Sequence, residues 1–230
     1  MHRSALQDAT RATTKFQTKM VLHASGASIR PAEVKEQQRV LDQPLFFFMP
    51  NENHGEFCQW YPATFTVSKV KMSRLIGHPI DEDDPEGWQP IYFNCAEQFM
   101  MYCKAGRFRD SKTQKLILAT DDPKEQKRLA RLTKGFQPAS WDDIKSLVAV
   151  TGNFAKFGQN RHLKRLLLDT GDRLLAEAAS LDRVWGIGFT AKEAMTHQNQ
   201  LRWGENRLGK ALMEVRERLK EDGARTSDGG

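Results

Sequence analysis

The sequence predicts an α+β fold, in which a predominantly helical single domain carries one small β-sheet. Short apolar or alternating runs, which are typical of strands, lie mainly before residue 94. From residue 94 to residue 219 the apolar residues recur instead at helical spacing, with capping residue types between the runs. The chain has 230 residues and 39% hydrophobic content, which is enough for one core and short for two independent domains.

The first 42 residues are expected to form a disordered, basic N-terminal extension. This segment is polar without a sustained period, and residues 1–40 contain seven Lys or Arg against three Asp or Glu. It accounts for +4 of the formal charge of +6, so the overall charge does not argue for a nucleic-acid binder. We place the folded domain at residues 43–220 and a disordered tail at residues 221–230.

Three short strands are predicted before the helical part. PLFFFM at 44–49 suits a buried strand, TFTVSKVKM at 64–72 alternates in polarity, and IYF at 91–93 can close a small sheet. The loop between the first two strands presents Trp60 and Tyr61. These two rings either sandwich a planar ligand or plug the core.

Helices are predicted from residue 94 onward. Asn94 can cap the first helix, Thr120 or Asp121 the next, and Ser140 a long helix that ends near Gly171 and can break at Gly152 or Gly158. The following segment RLLAEAA, 173–179, fits a strand or a helix. The last segment predicts an amphipathic helix, because its apolar residues repeat at helical spacing: Leu208, Leu212, Val215 and Leu219.

The first helix places a carboxylate and an amine in the otherwise apolar segment NCAEQFMMYCKA. Glu97 and Lys104 are seven residues apart, which is about 20° short of two turns and roughly 10.5 Å along the axis. Both groups can therefore contact a pentose-sized ligand between them. Two structural alternatives stay open: Glu97 forms a capping box with Asn94, and Lys104 snorkels at the core edge. Desolvation near Arg107 would lower the pKa of Lys104 and make it a nucleophile.

Two further motifs are candidates for ligand contact. In DRVWGIG, Asp182 can orient a sugar, Trp185 can stack on a ring and Gly186 permits close approach of a ligand, although a tight turn pinned by a core tryptophan is equally compatible. KFGQN, 156–160, offers amides and a lysine for a base or ribose, or else a satisfied helix end. Residues 104–134 contain ten Lys or Arg against four Asp or Glu, which suits phosphates or simply solvated helix faces.

Signatures of other site classes are lacking in the sequence. There is no GxGxxG after a strand, no Walker A, no HExxH and no GxSxG. Cys58, Cys95 and Cys103 form no CxxC pair and have no histidines at zinc spacing, so we expect no metal, no cofactor and a reducing compartment. No apolar run reaches about 18 residues. We expect a cytoplasmic protein, with a nuclear or organellar location as the alternative.

Six segments, taken in chain order, resemble one family: WYPATF, NCAEQFMMYCKA, NFAKFGQN, LLLDTGD, LAEAASLDRVWGIG and WGENRLGKALMEVRERL. They are similar to the NADAR family of YbiA-like proteins, which is related to riboflavin-intermediate N-glycosidases and ADP-ribosyl-guanosine hydrolases. The resemblance covers residues 44–219. Residues 73–90 look like an insertion, and the N-terminal extension has no counterpart that we can place; both bear on substrate choice.

The resemblance implies a YbiA-like fold that cleaves the N-glycosidic bond between ribose C1′ and a base nitrogen. The expected substrate is ADP-ribosylated guanine in a nucleotide or nucleic acid. Phosphorylated riboflavin intermediates and NAD-related compounds are alternative substrates. A non-catalytic module that binds ADP-ribose or nucleic acid is the alternative to an enzyme.

The family's glutamate and lysine correspond to Glu97 and Lys104, and its loop acid and tryptophan to Asp182 and Trp185. As a hypothesis, Lys104 attacks C1′ and forms a Schiff base, while Glu97 or Asp182 accepts its proton. The residues expected to bind substrate are Trp60, Tyr61, Arg107, Lys156, Gln159, Asn160, Trp185 and Gly186.

Overall fold

Four strands of three residues each form the sheets in the computed structural model, which describes residues 43–78 and 89–227. They are β1 (Leu45–Phe47), β2 (Phe65–Val67), β3 (Ile91–Phe93) and β4 (Leu175–Glu177). Strand β1 pairs in parallel with β4, and β2 pairs antiparallel with β3. The described residues therefore contain two two-stranded sheets where we expected one.

Helices make up most of the remainder. A 3₁₀ turn at Gly55–Phe57 precedes α1 (Lys69–Ile76), α2 (Ala96–Arg107), α3 (Ser111–Leu118), α4 (Pro123–Ala130), α5 (Pro138–Gln159), α6 (Arg161–Asp169), α7 (Ala191–Ala194), α8 (His197–Gln200) and α9 (Arg207–Ser227). The predominantly helical α+β class is confirmed, and the described residues from Pro44 onward form one compact unit. No helix in residues 43–78 and 89–227 is long and apolar enough to cross a membrane.

Helix α2 is the most enclosed element of the site. Ten of its twelve residues are buried, and it packs against α3, α4 and α5. Apolar side chains explain this burial, since Phe99, Met100 and Met101 join the strands β2 and β3 in one hydrophobic cluster. Glu97 and Lys104 lie on this helix, so their charges are held at the edge of a core.

A second hydrophobic cluster joins β1 and β4 to α5 and α9. Its buried members include Phe47, Leu175 and Leu212. Trp185, in the loop after β4, packs against both clusters. The loop that carries Trp185 is thus positioned by the two halves of the core together.

Helix boundaries differ from our expectations where a cap lies one or more residues away. Asn94 does not cap α2: the cap is Cys95, whose Sγ accepts the Gln98 N–H at 3.5 Å, while Asn94 N donates to Gln98 Oε1 at 2.8 Å. The predicted Asn94–Glu97 capping box is therefore wrong. Helix α4 is capped by Asp122 in place of Thr120 or Asp121, and α3 begins at a cap that we did not predict, Asp110.

Three longer segments also differ. The run 64–72 is a strand only to Val67, because the Ser68 hydroxyl accepts the Lys71 N–H and starts α1. The long helix expected from Ser140 begins at Pro138, and its break, which we placed at Gly152 or Gly158, lies at Asn160 between α5 and α6. Segment 173–179 contains strand β4, and helix α9 continues to Ser227, so residues 221–227 are helical where we expected disorder. Residues 1–42, 79–88 and 228–230 lie outside the described residues.

Candidate active site

A cleft of about 720 Å³ opens beside the buried face of α2. Helix α2 lines it with Glu97, Met100, Met101 and Lys104, and the turn of chain beyond the 3₁₀ segment adds Gln59 and Trp60. Helix α4 and the residue after it contribute Lys127 and Arg131, while β4 and its following loop contribute Glu177, Asp182 and Trp185. The cleft is large enough for a nucleotide-sized ligand.

Glu97 lies deep in this cleft and is only 5% exposed. Its backbone N–H donates to Gln59 O at 3.0 Å, which fixes the first turn of α2 against the Trp60 loop. Burial raises the pKa of Glu97, and Lys127, a hydrogen bond from Trp60 and Lys104 oppose that shift. Within the described part of the chain, its Oε1 has no hydrogen-bond partner. A buried carboxyl oxygen without a partner at a cleft is poised to meet a ligand.

Lys104 lies further along the same wall and is half-buried. Desolvation lowers its pKa first and the positive charge of Arg131 second, while Glu97 acts in the opposite sense. Its Nζ lies 4.3 Å from the centroid of the Phe136 ring, which is a cation–π distance. We expected Arg107 to act on Lys104, but the cations that lower its pKa are Arg131 and Lys127.

A third acid in the cleft, Glu177, was missed by sequence reasoning. It is the last residue of β4, and burial followed by repulsion from Asp182 raises its pKa to about 8. Its Oε2 has no partner among the residues that the structure describes. The segment LAEAASLD contains this acid. Its position in the cleft could be predicted only if the pairing of β4 with β1 was known.

Asp182 lines the cleft next to Glu177 and also organises its own loop. Its Oδ1 accepts the N–H of Val184 at 2.9 Å and the N–H of Trp185 at 2.8 Å. These two bonds hold the indole of Trp185 toward the cleft. Asp182 is thus at the site and is also a turn residue, so the two interpretations of DRVWGIG both describe it.

Gly186 lies behind this loop. A Cβ built there would approach Glu177 O to 2.8 Å and Asp182 O to 3.1 Å. The absence of a side chain therefore lets the loop pack tightly on β4, and the close approach is to protein backbone. We expected the close approach to involve a ligand.

Lys156 is not at the cleft, although we expected it to bind substrate. It is wholly buried, and its Nζ donates to Glu56 O at 2.8 Å and to Cys58 O at 2.9 Å. Burial lowers its pKa to about 8. Its side chain ties α5 to the chain segment that leads into Gln59 and Trp60.

Three further expected binding residues also engage the protein itself. Gln159 exchanges hydrogen bonds with the backbone N–H and C=O of Thr66, and Asn160 donates to Thr64 O at 3.1 Å. Arg107 donates to Ile76 O at 2.7 Å and to Ser140 Oγ. The contacts of Gln159 and Asn160 correspond to the helix-end alternative for KFGQN.

Tyr61 packs against the second hydrophobic cluster, and its ring lies 5.4 Å from Lys156 Nζ. Of the two aromatic residues in this loop, only Trp60 lines the cleft. The structure thus brings five expected residues together, namely Trp60, Glu97, Lys104, Asp182 and Trp185. It adds Gln59, Lys127, Arg131 and Glu177.

Residues 43–78 and 89–227 contain no cluster of three or more His, Cys, Asp or Glu side chains that could bind a metal ion. The polar groups that converge on the cleft are carboxyl, ammonium, guanidinium, indole and amide groups. Together they can bind an anionic ligand, transfer protons and supply a nucleophilic amine.

Comparison with known proteins agrees with the resemblance seen in the sequence. The NADAR domain matches residues 46–220. The chain belongs to the NADAR domain family. An N-glycosidase, R617, from Acanthamoeba polyphaga mimivirus is 35% identical over 76% of this chain and 96% of its own length. N-glycosidase YbiA from Shigella boydii is 33% identical over 82% of this chain and 97% of its own.

Two other comparisons extend this picture. The riboflavin biosynthesis protein VVA0006 from Vibrio vulnificus is 30% identical over 80% of this chain, which spans 41% of that protein. The NMR structure of E. coli YbiA superposes with a TM-score of 0.57 at 24% sequence identity, over 80% of this chain and 88% of that one. This NADAR chain therefore has a YbiA-like fold.

Proposed function

We propose that this NADAR protein is an N-glycosidase, a hydrolase of N-glycosyl bonds that removes ADP-ribose from ADP-ribosylated guanine in a nucleotide or nucleic acid. One observation carries the proposal: Glu97 and Lys104 line the same cleft from one wall of α2. A nucleophilic amine beside an acid with a raised pKa suits cleavage at an anomeric carbon. The names of the N-glycosidase relatives support the reaction class.

The first step forms a covalent bond between enzyme and ribose. The neutral Lys104 Nζ attacks C1′, the bond from C1′ to the base nitrogen breaks, and that nitrogen takes the electron pair. Positive charge develops on C1′ and its ring oxygen as the bond breaks, and the carboxylate of Glu97 stabilises it. Glu97 then accepts the proton that Lys104 loses.

Glu177 is the proton donor to the leaving nitrogen in this scheme. Its pKa of about 8 keeps the carboxyl group protonated at neutral pH, which a general acid requires. Asp182 maintains this state, because its negative charge beside Glu177 disfavours a second carboxylate. Glu177 therefore acts as the general acid, and Asp182 acts as its electrostatic partner.

The second step releases the sugar. Opening of the ribose ring converts the adduct into a Schiff base between Lys104 and C1′, with the ring oxygen protonated. Water adds to C1′, the C–N bond to the lysine breaks, and the free amine and ribose are restored. Glu97 gives the proton that it took from Lys104 to the ring oxygen, and the added water gives a proton to Glu177, so that all three groups regain their starting protonation states.

Phosphate binding falls to Lys127 and Arg131. These residues lie one helical turn apart and both line the cleft. They take the role that we had given to Arg107 and Lys156, whose polar groups bind backbone carbonyls instead. Of the other cations of α4, Lys124 is exposed, whereas Arg128 is paired with Glu125.

Reductive trapping tests the covalent step. Borohydride added during turnover of ADP-ribosylated guanosine is expected to leave a ribose-containing mass on the peptide with Lys104. The variant Lys124→Ala, which removes an exposed cation of α4, is the matched control and should trap normally. Full turnover by Lys104→Ala, with no adduct in the wild-type protein, would contradict the lysine route and favour a water activated by Glu97.

A riboflavin intermediate is the second candidate substrate. The printed name of the Vibrio vulnificus relative favours it, and Lys127 with Arg131 suits a single ribose phosphate as well as a diphosphate. Incubation with ADP-ribosylated guanosine, the phosphorylated riboflavin intermediate and NAD, followed by analysis of released base and sugar, decides among them. Binding of all three without release would leave only a non-catalytic module.

A further inference from the structure

A buried chain of side-chain amides connects α5 to the cleft. Asn153 is wholly buried, and its Nδ2 donates to Ala149 O and to Gln59 Oε1, both at 2.9 Å. A backbone carbonyl can only accept, so the bond to Ala149 O fixes which end of the Asn153 amide carries the N–H groups. Asn153 in turn fixes Gln59, because its second N–H needs an acceptor there.

The orientation of Gln59 leaves its own N–H groups facing the other way. In the described part of the chain, their acceptor is Met100 Sδ at 3.6 Å, and a thioether is a weak acceptor. Gln59 is only 8% exposed and it lines the cleft. A buried donor whose acceptor is so weak costs free energy. This cost indicates that a ligand atom, a stronger acceptor, pairs with the Gln59 amide.

The position of Gln59 indicates which part of a ligand it meets. Its backbone oxygen accepts the Glu97 N–H at 3.0 Å, and Trp60 is the next residue along the chain. The Gln59 amide therefore shares the cleft with the acid on α2 and with the indole that can stack on a ring. A base attached to a ribose between Glu97 and Lys104 would present its edge to this amide.

We propose that Gln59 is a specificity-determining residue, whose Nε2–H donates to a carbonyl oxygen on the leaving ring. The proposal rests on the N-glycosidase function and names its substrate class: rings with an oxo group at the edge that meets Gln59. Guanine offers O6 as an acceptor there, whereas an amino group at the same position presents a donor. Two donors facing each other leave both unpaired, so the amino ring is rejected.

The matched substrate pair for this test is ADP-ribosylated guanosine and its 2,6-diaminopurine analogue, in which an amino group replaces O6. The wild-type enzyme is expected to show a kcat/KM about 30-fold higher for the guanine substrate. This ratio needs no variant, so it tests the proposal even if substitutions at Gln59 fail to fold. Equal kcat/KM values for the two substrates would overturn the specificity role and leave the N-glycosidase function intact.

The variant Gln59→Met removes the donor and keeps most of the side-chain volume. It is expected to lose activity toward the guanine substrate by about 10-fold to 30-fold and to retain activity toward the analogue, so that the ratio approaches one. An equal loss for both substrates would mean that Gln59 only supports the fold, and would overturn the proposal. Gln114→Met, at another buried glutamine whose Nε2 donates to Tyr102 O, is the control and should keep the wild-type ratio.

Asn153→Leu gives an independent readout of the amide chain. It leaves Gln59 in place but frees its amide to rotate, so the ratio is expected to fall by about threefold to tenfold without reaching one. A ratio unchanged in this variant would overturn the claim that Asn153 fixes the orientation. Absence of turnover of either substrate by the wild-type protein would instead overturn the proposed function, together with the role of Gln59.

Discussion

Lys104 on α2 and Lys156 on α5 lie on helices that pack against each other, and burial lowers the pKa of both. Their surroundings differ. Lys156 is wholly buried and its Nζ donates to two backbone carbonyls, those of Glu56 and Cys58. Lys104 is half-buried and lines the cleft, and its Nζ lies over the ring of Phe136.

The difference shows that a depressed lysine pKa is insufficient to identify a nucleophile. An amine that is committed to two fixed acceptors would have to abandon both before it could attack, at a cost close to that of two buried hydrogen bonds. An amine held over a ring can leave at a cost of about 1 kcal/mol. Accessible geometry therefore favours Lys104 as the proposed nucleophile, and the low pKa of Lys156 reflects its buried contacts in the fold.

The largest expected effect is on catalysis at Lys104. Lys104→Met should lower kcat/KM for the N-ribosyl substrate by at least about 1000-fold, because the nucleophile is lost. The free energy of unfolding should change by less than about 1 kcal/mol, since among residues 43–78 and 89–227 the side chain makes no buried hydrogen bond. Steady-state kinetics and urea unfolding measure the two quantities, and a variant that unfolds without losing specific activity would reverse the assignment of the two lysines.

Lys156→Met should act in the opposite way, on stability more than on chemistry. It leaves Glu56 O and Cys58 O buried without their donor, so the free energy of unfolding should fall by about 3 kcal/mol. Lys124→Met, at an exposed lysine, is the matched control and should be neutral. Urea titration followed by tryptophan fluorescence checks this, and wild-type stability with lost turnover would show that Lys156 works in the cleft.

The pH dependence of stability sharpens the same contrast. The pKa of Lys156 is about 8 in the fold and 10.5 in an unfolded chain, so the unfolded state binds more protons between these values. The free energy of unfolding should therefore rise with pH from about 8 to 10.5, by on the order of 3 kcal/mol, relative to Lys156→Met. Urea titrations of both proteins across this range give the difference curve. A flat curve would mean that the fold leaves the proton affinity of Lys156 unchanged.

The smallest expected effect concerns the ring beside Lys104. Phe136→Leu keeps an apolar neighbour but removes the ring face that favours the ammonium, so the pKa of Lys104 should fall further. Turnover on the acidic limb of the pH–rate profile should rise by about threefold, with the pH-independent plateau unchanged. Phe154→Leu, which alters a comparable lysine–phenylalanine contact with Lys71 outside the cleft, should leave the profile in place.

Local sequence patterns predicted part of the candidate site, including the helix that forms one wall of the cleft. The Glu97–Lys104 spacing was readable because both residues lie on one helix, where seven positions always return to the same stripe. The helical character of the chain after residue 94 followed from the same periodicity. These inferences needed no knowledge of distant contacts.

The remaining residues depend on contacts between distant segments. Glu177 reaches the cleft because β4 pairs with β1, and no periodicity within LAEAASLD reveals that pairing. Lys156 was misplaced because a lysine in a helix is usually solvated, whereas the carbonyls that hold it come from a segment about a hundred residues earlier. Sequence patterns thus indicated candidate residues for the site, and the tertiary contacts decide which of them line the cleft.

The parallel pairing of β1 with β4 has a consequence for how the protein is made. The pairing of Leu45 with Leu175 requires that both strands have been synthesised. The same pairing of β1 with β4 positions Glu177. During synthesis on the ribosome, helix α2 emerges long before the strand that completes the pocket around it. A chain that ends before residue 177 consequently lacks the acid that β4 contributes to the cleft.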